Sequence, residues 1–551
     1  MKNPFLQRLL YRFLFPTVAL LLSHTADAQV AAPSPATQSP PTAPSTASNA
    51  DFVTIHNDFY WVDQNGQRIL TRSGCLRQFN GIFYWYGGNP RGFFDQYVYK
   101  STDLIHWTNL GVCMHQDVDA NRIDVLYNDK TKKYVMFMKY NGNGAFLGIA
   151  TADKPEGPFT LQSQTLVDNA RMGDMSAYED DDGKAYIAYV SWAVGTNAQH
   201  GIYRMSDDYL TLDKRMFLWD IRSREAPHIF KRNGLYYYGT SRTAGIQSSG
   251  TSYYTATDLA GPWTPAKPLS TPGSNNSWDS QVDFVYPFPG PQGTLYMFDG
   301  DRWTKNLPTG RNGDYIWLPT EFDGNDPIVN YYQDWDLDLK DGTWRKFDPA
   351  RNLAAGKTVT ASSDDGTNLA RNVTAPKDYQ DYINIHWDSA PGDQQWIMVD
   401  LGAPTDINRV ILKWNTNAAK TFKIQTSTDA IAWSDVFSTT QGGSYTVTDE
   451  KFKTTSARYV RVNATERAPV PFGGRGGRRG GRGGPAGTPP AATATAATTA
   501  STTVAGPAAA ASSGAAPTAP TTPTATAPVA ATATPPAQSA YSLFDFMVLK
   551  D

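Results

Sequence analysis

The chain has 551 residues and a mass of 60.5 kDa, which at about 100–200 residues per domain allows two to four domains. A net charge of -3 excludes a global basic field that would recruit nucleic acid, and two cysteines, Cys75 and Cys113, exclude a disulfide scaffold or a multi-cysteine zinc site. Hydrophobic residues at 40% suffice for a large core, and 45 Gly, 37 Pro, 29 Tyr and 15 Trp favour the turns and aromatic strands of an all-β protein.

Lys2, Arg8 and Arg12 precede an apolar run over 13–22, followed by Ala26-Asp27-Ala28. That pattern predicts a signal peptide over 1–28, cleaved near Ala28-Gln29, and an exported protein, periplasmic or extracellular; the run is too short to span a membrane. Residues 29–50, rich in Pro, Ala, Ser and Thr, read as a linker. Cys75 and Cys113 could pair after export or stay as two buried thiols, and the sequence leaves both open.

A turn followed by an aromatic strand then recurs five times, the last tyrosine of each copy falling at 84, 134, 186, 237 and 296, with spacings of 50, 52, 51 and 59 residues. A second turn follows most copies, as in Ser101-Thr102-Asp103, Gly157-Pro158 and Gly261-Pro262. A period near fifty with several strands per unit predicts a five-bladed β-propeller over 51–348. Such a ring has one axial pocket.

Most carboxylates in a repeat cap turns, so functional ones must break the pattern. Asp174, in Gly173-Asp174-Met175, and Glu225, in Ser223-Arg224-Glu225-Ala226-Pro227, each sit upstream of a hairpin, where an innermost strand should run. Two carboxyls on adjacent blades can converge on one bond, as glycoside hydrolysis requires. Tyr86, Tyr140, Tyr178, Trp192 and Trp303 could stack on sugar faces or simply pack the blades. His200 and His228 are too isolated to argue for zinc, and Asp63-Gln64-Asn65-Gly66 reads as a hairpin turn.

These motifs, with 127–136, Ser280-Gln281, 300–303, 316–322 and 334–337, resemble glycoside hydrolase family 43, most closely its exo-β-1,3-galactanase branch. The resemblance implies an inverting, exo-acting enzyme releasing galactose from β-1,3-galactan or arabinogalactan. Glu225 would be the general acid, Asp174 its orienting and tuning partner, and Gln281 would stand where a base is needed, acting through its imidic tautomer or by positioning water. If one water fits between Glu225 and Gln281, the two should lie about 6.5–9.5 Å apart. Substrate contacts are expected from Asn121, Arg122, Asp124, Arg224 and Arg302 with the aromatics above. The branch carries a Glu where this chain has Asn121, which puts the sugar subsite in question. An arabinofuranosidase or xylosidase, or a non-catalytic glycan-binding propeller, is therefore the alternative. No cofactor is required; a structural calcium in the axial channel fits the resemblance, though no metal ligand set can be read. The partner is a polysaccharide or oligosaccharide, with no nucleic acid and no membrane span, and the protein is expected to be a monomer.

Alternating strands over 349–467, among them Gln395–Leu401, Val410–Trp414 and Ala457–Val462, predict a β-sandwich resembling the discoidin fold and carbohydrate-binding module family 32. Residues 468–540, Arg-Gly-rich and then Ala/Thr/Pro-rich, read as an insertion, solvated linker or polyanion-binding segment, and 541–551 as the sandwich's last strand.

Overall fold

The computed structural model describes residues 52–89, 92–141, 145–192, 198–245, 247–303, 313–377, 384–469 and 541–551. The signal peptide, the 29–50 linker and nearly all of the 468–540 insertion lie outside the described residues.

The repeat builds antiparallel sheets of four strands. The first comprises Arg72–Phe79, Ile82–Gly88, Asp95–Ser101 and Thr108–His115, in sequence order, and four more follow the same order. Asn80-Gly81 and Asn233-Gly234 join the first two strands of their sheets with both residues at positive φ, the turn geometry that Asn-Gly supplies at least cost. The five repeat tyrosines all lie on second strands, where apolar faces of neighbouring sheets meet.

Six sheets form this part of the molecule, so the expectation of five blades is corrected to six. The sixth has three strands, Phe52–His56, Asp334–Asp338 and Thr343–Lys346. It lacks the tyrosine hairpin and is assembled from segments far apart in the chain, so a period search cannot see it. Its Ile55, Trp335 and Leu337 pack with Trp85 of the first sheet and Trp317 of the fifth.

The first strands of the five larger sheets, Arg72–Phe79, Ala120–Asn128, Arg171–Glu179, Arg224–Arg232 and Gln281–Gly290, neighbour one another in ring order. Each loses register with its partner near its start: between Arg72 and Cys75, Asn121 and Asp124, Met172 and Met175, Glu225 and His228, and Val282 and Phe284. A bulge leaves residues unpaired and re-aims their side chains. Five bulges at one level thus free Arg122, Asp174 and Asp283 from ladder pairing, and Glu225 stands at the edge of its own.

The second body is a seven-stranded assembly. Gln395–Trp414 and Val447–Arg467 are its long central strands, and Ser542–Leu549 lies between Gln395–Trp414 and Trp387–Asp388. Trp387, Trp414, Phe422 and Phe546 fill its core.

Candidate active site

Glu225 opens the first strand of the fourth sheet and is half-buried. Its Oε1 accepts the Ala244 N–H at 3.2 Å and a hydrogen from Gln281 Nε2 at 2.7 Å. The second Gln281 amide hydrogen reaches Ser241 Oγ at 3.1 Å, and Gln281 Oε1 accepts the Trp303 indole N–H at 3.0 Å. An indole N–H can only donate, so Trp303 fixes which end of the amide faces Glu225. Gln281 and Ser241 are buried, as is Trp303. Glu225 Oε1 is thus engaged twice, which leaves Oε2 as the oxygen to carry a transferable proton.

The expected separation of Glu225 and Gln281 by a water is corrected: the two side chains touch. The Gln281 amide nitrogen donates directly to the Glu225 carboxyl at 2.7 Å.

Asp174 comes from the third sheet's bulge. Its Oδ2 accepts the N–H of Ala226, the residue after Glu225, at 3.1 Å and meets Arg122 Nε at 3.2 Å, while Oδ1 lies 3.5 Å from Lys139 Nζ. Burial pushes the Asp174 carboxyl up, but Arg122, Lys139 and the Ala226 N–H outweigh it and hold the group below the usual carboxylate range. Glu225 moves the other way. Burial and the Asp174 charge raise it, against the opposing Ala244 N–H, Arg122 and Gln281. Two carboxyls driven apart in this manner divide into a proton holder and a permanent charge.

The remaining sequence candidates separate. Trp192 is exposed at the rim, with its indole nitrogen so close to Gly173 that a Cβ there would lie 2.6 Å from it. Asn121 is partly exposed and bonds Asp119, and Arg224 reaches the Gly250 carbonyl at 3.3 Å. Five expectations are corrected. Asp124 is buried, paired with Arg77 and bonded to the Ala177 N–H, so it ties sheets together. Tyr140 belongs to the core of the first and second sheets. Tyr178 bonds Asp180 and packs against Tyr186 and Tyr236. Arg302 is fully buried against Asp58 and the Trp278 carbonyl. Arg122 is also turned inward, between Asp174 and Asp283, not open to a sugar. Asp63 makes the expected turn, accepting the Asn65 and Gln67 N–H groups, and both cysteines are free, buried thiols.

Sequence reasoning missed Ser241, Ala244, Lys139 and Asp283. The first two act through a hydroxyl and a backbone N–H that no motif marks. Burial brings His200 and His228 down to about 4, as neutral packed rings. Among the described residues no three His, Cys, Asp or Glu side chains are grouped to hold a metal ion. No described helix is long and apolar enough to cross a membrane.

Residues 74–298 match the family model for glycosyl hydrolases family 43, and residues 358–475 match the F5/8 type C domain. A curated relative, beta-D-galactofuranosidase xynD of Aspergillus niger, is 32% identical over 151 residues, which are 25% of this chain. The chain spans 43% of the length of that relative. Among solved structures, an exo-beta-1,3-galactanase from Phanerochaete chrysosporium with beta-1,3-galactotriose is 21% identical, covering 76% of this chain and 98% of its own at a TM-score of 0.49. An exo-beta-1,3-galactanase from Clostridium thermocellum is 21% identical, covering 75% and 97% at 0.49.

Proposed function

We propose that this chain, a family 43 glycosyl hydrolase across its propeller and an F5/8 type C domain across its sandwich, is an exported, inverting and exo-acting glycosidase that releases galactose from β-1,3-galactan or arabinogalactan. The observation that carries the reading is the opposed pair: Glu225, pushed up by burial and by Asp174, beside an Asp174 held ionised by Arg122 and Lys139.

In this reading Glu225 gives its proton from Oε2 to the departing glycosidic oxygen. Asp174 stays charged, favours the protonated form of Glu225 and orients the strand through the Ala226 N–H. Gln281 is a poor base, because Trp303 holds its oxygen and its nitrogen is a donor. Its oxygen keeps one lone pair for a water, so Gln281 positions the nucleophile. Substrate entry then requires the contact between Glu225 and Gln281 to open. Trp192 offers a stacking face at the rim. The motifs at 127–136, 280–281, 300–303 and 316–322 support the galactan assignment, and the signal-like start of the chain supports export. The β-galactofuranosidase relative favours a second reading, release of a furanoside.

The test incubates the purified protein and a Glu225→Gln variant with β-1,3-galactooligosaccharides, β-galactofuranoside, α-arabinofuranoside and β-xyloside. Release of α-configured galactose from the first substrate by the unaltered protein alone establishes the reading. Turnover of a furanoside or xyloside instead replaces its substrate, and inactivity on all four sinks it.

A further inference from the structure

The bulge of the second sheet holds Arg122 at φ +50°, out of the ladder, with its guanidinium buried. One edge, Nε, meets Asp174 Oδ2 at 3.2 Å. The other, Nη1, is ion-paired with Asp283 from the bulge of the fifth sheet, two residues after Gln281. Asp283 is the unpaired bulge residue between Val282, which pairs with Gly300, and Phe284, which pairs with Asp299; Asp283, Asp299 and Asp301 are all buried. Asp301 accepts the Ser73 N–H at 2.8 Å.

We propose, resting on the glycosidase reading above, that Arg122 is a positioning residue, clamped between Asp174 and Asp283, that holds Asp174 beside Glu225 without touching the sugar. The clamp explains why a guanidinium occupies this place: its planar fork serves two carboxylates from different sheets at once, which a lysine ammonium does less well. The other charged or titratable groups facing the clamp are Lys139 on the second sheet, His200 on the third, His228 and Glu225 on the fourth, and Arg72 on the first.

The experiment follows kcat and KM against pH for wild type, Arg122→Gln, Arg122→Lys and Asp174→Asn. Loss of the Arg122 charge lets both Asp174 and Glu225 bind protons more readily, so both limbs of the Arg122→Gln profile move to higher pH. Its kcat falls about 10- to 100-fold, less than the roughly 100- to 10,000-fold that the general acid itself supplies, while KM changes less than about threefold. Arg122→Lys recovers part of both. Asp174→Asn moves the alkaline limb the opposite way, to lower pH. A raised KM with an unmoved pH profile would make Arg122 a sugar ligand and overturn the proposal. If wild type hydrolyses nothing, the glycosidase reading fails separately. The clamp is then read by carboxyl 13C titration of Asp174 and Glu225, where unshifted midpoints in Arg122→Gln refute it.

Discussion

At the scale of single residues, the site turns on which atoms are already used. Glu225 Oε1 accepts two N–H groups, and the Gln281 amide is fixed at three points, by Trp303, Ser241 and Glu225 itself. Trp303→Phe keeps an aromatic ring, smaller than the indole, and deletes the N–H donor. A net hydrogen bond contributes about 0.5–1.5 kcal/mol, so kcat is expected to fall roughly 3- to 10-fold with KM little changed, since the amide can then rotate away from its working orientation. Steady-state kinetics on the substrate found active would check it, and an unchanged kcat would mean that Ser241 alone orients Gln281. The pH profile has a definite sign as well. Glu225 works only when protonated, and its folded value lies above the usual one, so activity should be present at lower pH and be lost as pH rises through that raised value. Asp174 and Glu225 could be read from the chain because they interrupt a repeat. Arg122 and Asp124 could not be sorted that way. They stand two apart on one strand, and only the bulge between Asn121 and Asp124 decides that one reaches the axial carboxylates while the other pairs with Arg77.

At the scale of elements, a bulge in each of five inner strands sets the height of the site, and nothing in the residue pattern announces it. The hairpins were legible because Asn-Gly and tyrosine repeat at fixed offsets; the sixth sheet was not, because Phe52–His56 pairs with Asp334–Asp338 across nearly the whole propeller. The sandwich raises a different element-scale question. Ala468 donates its N–H to the Ala418 carbonyl, and Ser542 donates to Asn417. The described chain therefore leaves and re-enters at adjacent residues of one loop. Replacing 470–540 with a connector of about nine residues amounts to three halvings of loop length, which should stabilise the sandwich by about 2 kcal/mol or less. Deleting 541–551 should have the opposite effect, because Ser542–Leu549 is an interior strand and Phe546 is fully buried. Even Phe546→Ala is expected to cost about 3–5 kcal/mol. Denaturant unfolding of the three variants measures both claims, and an unaffected Phe546→Ala would remove this strand from the sandwich core.

At the scale of the whole molecule, propeller and sandwich meet through buried charge. His56 of the sixth sheet places Nδ1 2.6 Å from Asp334 and Nε2 3.1 Å from Asp449 of the sandwich. Arg409, almost wholly buried, bonds Asp449 and Thr54, and Lys413 pairs with Asp334 at 2.5 Å. Carboxylates only accept, so His56 must carry both ring protons to satisfy both neighbours. Burial pulls His56 down, but the two aspartates outweigh it and leave the imidazole above its ordinary 6.5. A group raised on folding stabilises fully below its unfolded value and loses that contribution as pH rises through the folded one. The aspartates behave oppositely: Asp334 is brought down to about 2 and Asp449 is also lowered, so their share is present above about pH 4 and is lost toward about pH 2. The junction should therefore be firmest between about pH 4 and the raised His56 value. Melting curves from pH 4 to 9 should show the transition temperature dropping on the alkaline side, and His56→Gln, which cannot charge, should melt lower near pH 5 and flatten that drop. A His56→Gln profile parallel to wild type would show that Arg409 and Lys413 hold the junction without it. Such a mutant could still be fully active, since His56 lies in the sixth sheet and the acid machinery is built from the bulges of the other five.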